Sequence, residues 1–502
     1  MSLERVTLGN GKKDNVPFPA IPRNHITIGL SGPSSLLTSL SALISSRALP
    51  AKPYTPSQIS YILSNLALMD TQNHPSNLGL GEREGRVAST FLQGVYAGCP
   101  MSHGIGRSGD LAAPQPKAAG SSVLYALCQM FLRRSLIVLC GFDWMKKNGL
   151  GQGHVAYLPS ATGVSLMYCL LSLPRKSKVV WLRIDQKSAP KAVALCGMEL
   201  VVCPTTRSPS GVVKSDLSWL SSYLAANASD VTAVISCTSC FAPREPDDVP
   251  AVAKMCTAGF CSSVSVPHII NNAYGLQSRR ACSLINKAVA VGRVDLIVSS
   301  CDKNFLVPVG SAIVYGPDKD KVSKIQKQYP GRASGAGVRD LVVSFLELGE
   351  PGYRRLYEER VRLSPMFRSA LEGVAAEFGE EVLTMENDVS FCMTLKTLEA
   401  GEVSELGSAL FTRATTGARA VPPNQSNAVA GITLEGWGSS TVGLDWGYLT
   451  TAIGVGMSEA EVGNVARRVG GAIKEVLKKR ARRRYKEEDT PDIAKREGKG
   501  ED

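Results

Sequence analysis

The sequence predicts an α/β protein with a large domain around a mostly parallel sheet and a smaller C-terminal α+β domain. Between residues 89 and 316, short β-branched runs such as 179–182, 200–203 and 232–235 alternate with helical stretches, as expected for a parallel sheet covered by helices. After Pro317 the pattern is richer in helix, with helices predicted over residues 342–348 and 360–378. A chain of 502 residues, 44% of them hydrophobic, is long enough to bury a large core, and we expect two lobes.

The N-terminal region differs in composition from the rest of the chain. Residues 1–30 are polar and contain Gly and Pro, so we expect loose order, and they lack the basic-then-apolar pattern of a secretory signal. The uncharged stretch 26–46 contains seven serines, which argues against a membrane span. Leucine and isoleucine recur at helical spacing in two later runs, namely Leu36, Leu37, Leu40, Leu43 and Ile44, then Ile59, Ile62, Leu63 and Leu66. These two amphipathic helices need a partner surface, either in their own domain or in another subunit.

Lys303 is the most informative residue of the chain. It stands between two apolar runs, 294–298 and 307–315, which are both predicted to be buried strands. A lysine held at the end of such a strand loses hydration, which lowers its pKa and frees the amine for imine chemistry. Enzymes hold pyridoxal phosphate in this way, whereas a lysine lying on the rim of the sheet keeps its ammonium in water.

Two neighbouring segments favour the cofactor interpretation. The apolar run 267–270 ends at Asn271, where pyridoxal enzymes of the aminotransferase fold normally place an acidic residue against the ring nitrogen. An asparagine offers a neutral hydrogen bond and makes the ring a weaker electron sink, which suits a substrate with a good leaving group. The small residues Ala161, Thr162 and Gly163 precede an apolar helical run, and a helix start supplies N–H groups for a phosphate.

Two further segments have the composition of phosphate-binding loops. Residues 103–110 (HGIGRSGD) and 115–122 (QPKAAGSS) combine glycines, an arginine, hydroxyls and an amide, which are the groups that surround a phosphate. A second cluster lies at 329–334 (YPGRAS). The glycines match a dinucleotide fingerprint, but no strand precedes them. The alternative is a surface loop with a solvated arginine.

Charge and cysteine content limit the possible partners and compartment. A net charge of +12 and a pI near 9.1 favour a polyanionic partner, and many basic residues crowd one predicted helix near the C-terminus, among them Lys474, Lys478 and Lys479. A solvated helix or a localisation signal would have the same composition. The thirteen cysteines are scattered, so we expect reduced thiols in the cytoplasm. The five histidines are too far apart to suggest a metal site. We expect a buried, hydrogen-bonded His268, and the alternative is an approach of its ring to the cofactor beside Asn271.

Seven sequence blocks together resemble the O-phosphoseryl-tRNA(Sec) selenium transferases (selenocysteine synthases). They are GEREGRVAS (81–89), HGIGRSGD with QPKAAGSS, RIDQKS (183–188), SCFAPR (239–244), NNAYG (271–275), DKNFLVPVG (302–310) and YPGRAS. They occur in the family's order, and the resemblance spans residues 30–479. It implies fold type I of the pyridoxal-phosphate-dependent transferases, the aspartate aminotransferase-like fold.

The resemblance also implies a role for individual residues. Lys303 would bind pyridoxal phosphate covalently, Asn271 and Gln186 would contact its ring, and Arg83 would reach its phosphate from a neighbouring subunit. Glu82 would repel free amino acids at the entrance, or else it is a helix-surface carboxylate paired with an arginine. The phosphate of the phosphoseryl substrate would be held by Arg107, Ser108, Gln115 and Arg332. Selenophosphate would then supply the selenium.

Contacts to tRNA and subunit assembly follow from the same resemblance. Arg413 matches an arginine that reads the discriminator base, whereas Ala290 replaces a family arginine, so Lys287 or Arg293 would substitute. Val476 stands at the position of the family's C-terminal lysine, so Lys474, Lys478 or Lys479 would serve. The implied organisation is a loose segment 1–30, a helical region 31–88 that builds a homotetramer from two dimers, a catalytic domain 89–320, a tRNA-contacting domain 321–480 and a charged tail 481–502. No DNA or membrane partner is expected.

Two other functions remain open from the sequence. One is a related pyridoxal enzyme that inserts sulfur on tRNA, which would need an essential active-site cysteine such as Cys240 or Cys301. The other is a non-catalytic RNA-binding scaffold on the same fold. The spacing of Cys237 and Cys240 also matches a redox motif, although the pair belongs to the SCFAPR region.

Overall fold

The computed structural model describes residues 48–82, 84–146 and 154–488, together with Thr38, Ser41 and Ser45. All elements below belong to the compact unit Ala48–Asp502. The predicted segment 1–30, the apolar stripe of the helix expected around residues 36–44 and residues 489–502 of the predicted tail lie outside the described residues. No helix in the described part of the chain is both long and apolar enough to cross a bilayer.

The elements of the large sheet and its surroundings follow in chain order. Helices α1 Pro56–Leu68, α2 Thr90–Val95 and α3 Ala119–Val138 precede β1 Val155–Leu158, α4 Thr162–Ser172, β2 Lys178–Leu182, α5 Ser188–Leu195 and β3 Glu199–Cys203. After these come β4 Thr205–Arg207, β5 Val213–Ser215, α6 Leu217–Asn227, β6 Val231–Cys237, α7 Val249–Met255, β7 His268–Asn271, α8 Arg279–Val291, β8 Leu296–Ser300, α9 Cys301–Phe305 and β9 Ala312–Tyr315.

The large sheet has seven strands in the order β1-β9-β8-β7-β6-β2-β3. Strand β9 is antiparallel to both of its neighbours, while the pairs from β8 across to β3 are parallel. Strands β6, β7 and β8 are buried along their whole length, as expected where helices cover both faces. The mostly parallel sheet predicted from the sequence is confirmed, and the carboxyl ends of β1, β2, β6, β7 and β8 meet at one edge.

Helix α1 shows why the second predicted apolar stripe is buried. Thr55 caps the helix, with its N–H donating to Gln58 Oε1 over 2.8 Å, and Pro56 occupies the first turn, where its missing N–H is tolerated. The predicted stripe of Ile59, Ile62, Leu63 and Leu66 is buried. A Cβ on Gly120 would overlap the carbonyl oxygen of Leu66, so glycine permits this close approach of α1 to α3. The stripe therefore packs within its own chain.

The C-terminal part begins with α10 Lys319–Lys327 and α11 Ala336–Glu377. The two helices predicted over 342–348 and 360–378 lie on either side of a kink in this element, where Gly349 adopts the non-helical φ 59° and ψ −172° and Pro351 follows it. Next come β10 Ser390–Leu395, α12 Ala400–Thr412, β11 Arg419–Val421, β12 Ser426–Val429, β13 Ile432–Glu435, β14 Gly447–Ala452, α13 Glu459–Gly463 and α14 Val465–Glu488.

The smaller lobe has a hydrophobic core of its own. Its antiparallel sheet has the order β10-β14-β11 and packs against α11, α12 and α14 through a cluster that includes Leu363, Phe391, Leu449 and Ile473. The α+β character expected here is confirmed. Helix α14 runs to Glu488, so the boundary predicted at residue 480 falls inside a helix; the remaining domain limits stay predictions.

A buried ion pair connects the large sheet to this lobe. Arg183 Nε donates to Asp185 Oδ1 over 2.9 Å, and Arg183 Nη2 donates to the carbonyl of Glu435 over 2.6 Å. Asp185 also accepts from the backbone N–H groups of Gly438 and Ser440, at 2.7 and 2.8 Å. Charged hydrogen bonds of this kind are strong when buried, so they fix the loop that carries the neighbouring Gln186.

Candidate active site

Lys303 lies in the short helix α9, directly after the carboxyl end of β8. Its Nζ donates to Asp302 Oδ2 over 2.9 Å and to Ser300 Oγ over 3.4 Å. The side chain is 46% exposed, so the predicted loss of hydration is wrong, because the helix presents the amine at the open edge of the sheet. The second flanking strand is also shorter than predicted. Residues 306–311 form a loop in which Leu306 has φ 54°, and strand β9 begins only at Ala312.

The turn at residues 161–163 meets the lysine helix. Strand β1 runs parallel to β8, since both are antiparallel to β9, so the start of α4 and the start of α9 share one edge. Thr162 Oγ1 and Ser300 Oγ form a hydrogen bond that joins the two turns directly. A Cβ on Gly163 would stand 3.1 Å from Ser188 Cβ, so glycine lets the N-terminus of α4 pack closely against the start of α5.

Asn271 ends β7 beside the lysine strand and is 2% exposed. Its Oδ1 is buried and has no hydrogen-bond partner among the described residues. Buried amide oxygens are almost always paired, so this atom is suited to accept a hydrogen bond from a bound group. Gln186, half-buried, follows β2 at the same edge of the sheet. The structure thus brings four of the predicted cofactor segments, at 161–163, 186, 271 and 303, to one side of the sheet.

The two predicted phosphate loops are joined although they are distant in sequence. Ile105 N donates to Ala333 O over 2.8 Å and Ala333 N donates to Ile105 O over 3.1 Å. Arg332 anchors its guanidinium on the same loop, with Nε 3.1 Å from Gly106 O and Nη2 3.2 Å from Gly104 O. Arg332 of the second predicted cluster therefore contacts the backbone of the first loop.

The tip of the first loop is a tight turn. Arg107 N donates to Asp110 O over 2.9 Å and Asp110 N donates back to Arg107 O over 3.0 Å, while Ser108 and Gly109 have φ 48° and 85°. Both central residues have the left-handed conformation, as in a type I′ turn, and Arg107 and Ser108 are exposed. Gln115 follows nearby, with its N–H donating to Ser122 Oγ over 3.0 Å.

Glu82 belongs to a segment that contacts these loops through Glu84 and Lys117. Glu82 is exposed and lies in a turn, so the helical position in the alternative is wrong, whereas its pairing with an arginine stays a prediction. Arg83 lies outside the described residues. Glu84 pairs with Lys117 at 2.8 Å, and this hydrogen bond lowers the pKa of the Glu84 carboxyl, which ties the segment to the loop 115–122.

A cavity of about 810 Å³ opens beside the joined phosphate loops. Its lining includes Arg332, His103, Arg86, Arg339 and Glu84. Lys303 does not line it among the residues that the structure describes. The joined phosphate loops therefore border a polar cavity.

The predicted tRNA-binding residues are spread over the surface and differ in their partners. Arg413 forms an ion pair with Glu475, Lys474 pairs with Glu377 at 2.7 Å and Lys479 pairs with Glu475 at 2.9 Å. Lys287 and Lys478 are exposed. Val476 is fully buried, so it is a core residue.

Arg293 holds a structural position. Its Nε and Nη2 lie 2.8 and 3.0 Å from the two carboxylate oxygens of the buried Asp295. A tRNA phosphate would have to compete with this bidentate pair. Of the two basic residues predicted to substitute for the arginine at Ala290, Lys287 is the better placed.

Sequence reasoning missed three polar residues of the site. Asp302 and Ser300 contact the lysine amine, and His103 lines the cavity beside Arg332. All three stand inside motifs that were recognised, so their polar character next to Lys303 or Gly104 was the available signal. The sequence does not show which of these three side chains face the site, because that depends on the geometry of the turns.

The sheet order and the lysine at the end of β8 define the fold of the pyridoxal-phosphate-dependent enzymes of fold type I. Sphingosine-1-phosphate lyase from Burkholderia pseudomallei superposes with a TM-score of 0.53 at 11% identity, covering 95% of this chain and 96% of that chain. The structure of TDC from Oryza sativa with PLP superposes with a TM-score of 0.53 at 13% identity, covering 92% and 100%. At these identities the likeness concerns the fold alone, and it confirms the predicted fold class.

The chain belongs to the O-phosphoseryl-tRNA(Sec) selenium transferase (SepSecS) family, whose model matches residues 69–474. It is 36% identical to the O-phosphoseryl-tRNA(Sec) selenium transferase of Caenorhabditis briggsae over 84% of this chain and 86% of the relative. It is 34% identical to that of Dictyostelium discoideum, over 89% and 96%. The crystal structure of an archaeal O-phosphoseryl-tRNA(Sec) selenium transferase superposes with a TM-score of 0.78 at 26% identity, covering 92% and 100% of the two chains.

Proposed function

We propose that this protein converts O-phosphoseryl-tRNA(Sec) to selenocysteinyl-tRNA(Sec) with pyridoxal phosphate as cofactor and selenophosphate as selenium donor. The observation that carries the proposal is the junction of the two phosphate loops, in which Arg332 lies against the carbonyls of Gly104 and Gly106. The names of the relatives support the substrate, since they act on O-phosphoseryl-tRNA(Sec).

The residues at the lysine edge fit pyridoxal phosphate. Lys303 would hold it covalently, the buried Asn271 amide, whose Oδ1 has no partner among the described residues, would contact its ring nitrogen, and Gln186 would contact the ring. The first turn of α4, with Ala161, Thr162 and Gly163, would contribute N–H groups to its phosphate, assisted by Arg83 of a partner subunit. When bound, the cofactor supplies an electron-withdrawing ring that stabilises negative charge at the substrate α-carbon.

The chain's own groups would perform the proton and phosphate steps. Lys303 Nζ would take the proton from the substrate α-carbon, and Asp302, 2.9 Å from this nitrogen, would keep it oriented. Arg107, Ser108, Gln115 and Arg332 hold the phosphate as it leaves the β-carbon. Charge-assisted contacts from guanidinium groups are well matched to the charge that accumulates there.

Glu82 would exclude free amino acids. An α-carboxylate about 4 Å from Glu82 would be repelled by about 4 kcal/mol at an effective dielectric constant of about 20. The α-carboxyl of an aminoacyl-tRNA is an ester without charge, so it escapes this repulsion. Exposure of Glu82 is compatible with a place at the entrance.

The tRNA would dock on the C-terminal lobe through Arg413, Lys474, Lys478 and Lys479, with Lys287 contributing from α8. The net charge of +12 supports an electrostatic attraction to the acceptor arm.

We also propose a homotetramer built from two dimers. Large apolar side chains stand exposed near the cavity, with Leu80 and Phe91 exposed by 88% and 79%. Apolar clusters of this kind mark subunit contacts, and a contact here would bring one subunit's Arg83 to its partner.

A cytoplasmic location is proposed because all thirteen cysteines are free thiols. Reduced cysteines in this number are typical of a reducing compartment.

A single-turnover assay tests the function. Wild-type protein with phosphoseryl-tRNA and selenophosphate should release phosphate and form selenocysteinyl-tRNA, whereas Lys303→Ala should release none. Lys319→Ala, which removes an exposed lysine of α10, is the matched control and should behave as the wild type. Borohydride should fix the cofactor on the wild type and the control alone. Equal phosphate release by Lys303→Ala would remove this lysine from the mechanism.

A cysteine-dependent sulfur transferase is less well supported by the site. Cys240 and Cys301 are fully buried, and burial raises the pKa of the Cys240 thiol and raises that of Cys301 to about 12. Both therefore stay protonated at neutral pH and are poor nucleophiles. The same burial argues against a redox role for the pair Cys237 and Cys240.

A further inference from the structure

His103 is a buried histidine without a hydrogen-bond partner in the described part of the chain. Its side chain is 6% exposed, yet neither ring nitrogen is paired. His268 behaves as expected of a structural histidine, with Nε2 2.7 Å from Ser236 Oγ and Nδ1 3.1 Å from Arg293 O. Buried polar groups are rarely left unpaired, so the His103 ring requires a partner that is not part of the fold.

The position of His103 indicates what that partner is. The ring lines the cavity of about 810 Å³ together with Arg332, and the next residue, Gly104, accepts from Arg332 Nη2 over 3.2 Å. Gly104 has φ +70°, and a Cβ there would overlap the carbonyl oxygen of Ala333. The backbone on either side of this contact is therefore fixed, and the imidazole has a defined place next to the guanidinium.

The surrounding charges determine which form of the ring is present. Burial lowers the pKa of His103 below its ordinary value, Arg332 and Lys117 lower it further, and Asp70 and Glu84 act in the opposite direction. The imidazole is therefore neutral at pH 7 and carries one N–H donor. A guanidinium and a neutral N–H that line the same cavity match the oxygens of a tetrahedral anion.

We propose that His103 is a further substrate-binding residue, which donates one ring N–H to the phosphate-type anion held by Arg332. This rests on the proposed function, in which Arg332 binds phosphate. The anion is either the phosphate of the phosphoseryl group or the phosphate of the selenium donor, since the two share the same oxygens.

The test compares His103→Leu with His154→Leu in the cofactor-loaded enzyme. His154 is a matched control because it is 1% exposed, has an unpaired Nε2 and is absent from the described cavity lining. Inorganic phosphate is the probe, and its Kd is measured by calorimetry. Loss of one hydrogen bond to a charged group weakens binding roughly 10- to 100-fold, so we expect this for His103→Leu, no change for His154→Leu, and partial recovery for His103→Gln, which retains a donor.

Two further measurements distinguish a loss of phosphate binding from a loss of folding stability. The thermal midpoint of His103→Leu without phosphate should equal or exceed that of the wild type, because an unpaired polar ring is replaced by an apolar side chain. The KM that rises then identifies the anion, either that for phosphoseryl-tRNA or that for selenophosphate. A Kd for phosphate that equals that of His154→Leu overturns the inference, whatever the midpoint.

Arg332→Gln distinguishes failure of this inference from failure of the proposed function. If Arg332→Gln weakens phosphate binding and His103→Leu does not, only the role of His103 is wrong. If neither variant changes the Kd, the phosphate site of the proposed function is itself wrong.

Discussion

Replacing Gly104 by alanine should disrupt the phosphate loop, and Gly141 provides a matched control. Both glycines have φ near 70°, at +70° and +71°. Alanine at either position therefore lowers the free energy of unfolding by the same left-handed backbone penalty of about 1–2 kcal/mol. A Cβ at Gly141 meets no described heavy atom within 4 Å, whereas one at Gly104 overlaps the carbonyl oxygen of Ala333. The two sites therefore separate the conformational effect from the steric one.

The additional effect at Gly104 follows from the contacts that must move. The hydrogen bonds between Ile105 and Ala333, at 2.8 and 3.1 Å, each contribute roughly 0.5–1.5 kcal/mol. Their loss brings the total destabilisation by Gly104→Ala to about 2–5 kcal/mol. Arg332 would also lose its anchor on Gly104 O, and a displacement of about 1 Å at a reacting group can lower the rate about 100-fold.

The assay combines chemical unfolding with single-turnover phosphate release from phosphoseryl-tRNA. We expect Gly141→Ala to lower the free energy of unfolding only by the backbone penalty of about 1–2 kcal/mol and to keep wild-type turnover. Gly104→Ala should lose more stability and most of its phosphate release. If the two variants lose the same free energy and both keep wild-type turnover, the steric reasoning about the loop junction is refuted.

Three other predictions concern stability and tRNA binding. Burial lowers the pKa of His268 to about 4 from about 6.5. The unfolded chain therefore takes up this proton first as the pH falls, and the free energy of unfolding decreases by about 2 kcal/mol between pH 6.5 and about pH 5. Denaturant midpoints measured against pH should show this decrease, and His268→Gln should lack it. Asp247→Asn leaves the fully buried Arg244, 2.6 Å from Asp247, without a counter-charge and should cost about 3–5 kcal/mol; an unchanged thermal midpoint would contradict this. Lys478→Ala should reduce the salt slope of tRNA binding by about 1, more than Lys479→Ala, whose ammonium already pairs with Glu475; equal slopes in filter binding would count against the contact.

The sequence alone determined the local features of this protein. Alternating β-branched and helical runs predicted the large parallel sheet, because strand and helix periodicities are properties of short segments. The apolar spacing of Ile59, Ile62, Leu63 and Leu66 predicted the buried face of α1 for the same reason. The motifs around Lys303, Arg107 and Arg332 indicated cofactor and phosphate chemistry, since the residue types themselves carry that chemistry.

Only the tertiary structure decided which of these groups meet and what surrounds them. Arg332 lies against the carbonyl of Gly106, 226 positions away in the chain, because the two loops pair edge to edge. Lys303 is half-exposed, Arg293 is held by Asp295, and His103 is buried without a partner, and none of these follows from residue type. Burial and pairing depend on which elements the fold packs together, and the packing depends on contacts between distant parts of the chain that no local pattern encodes.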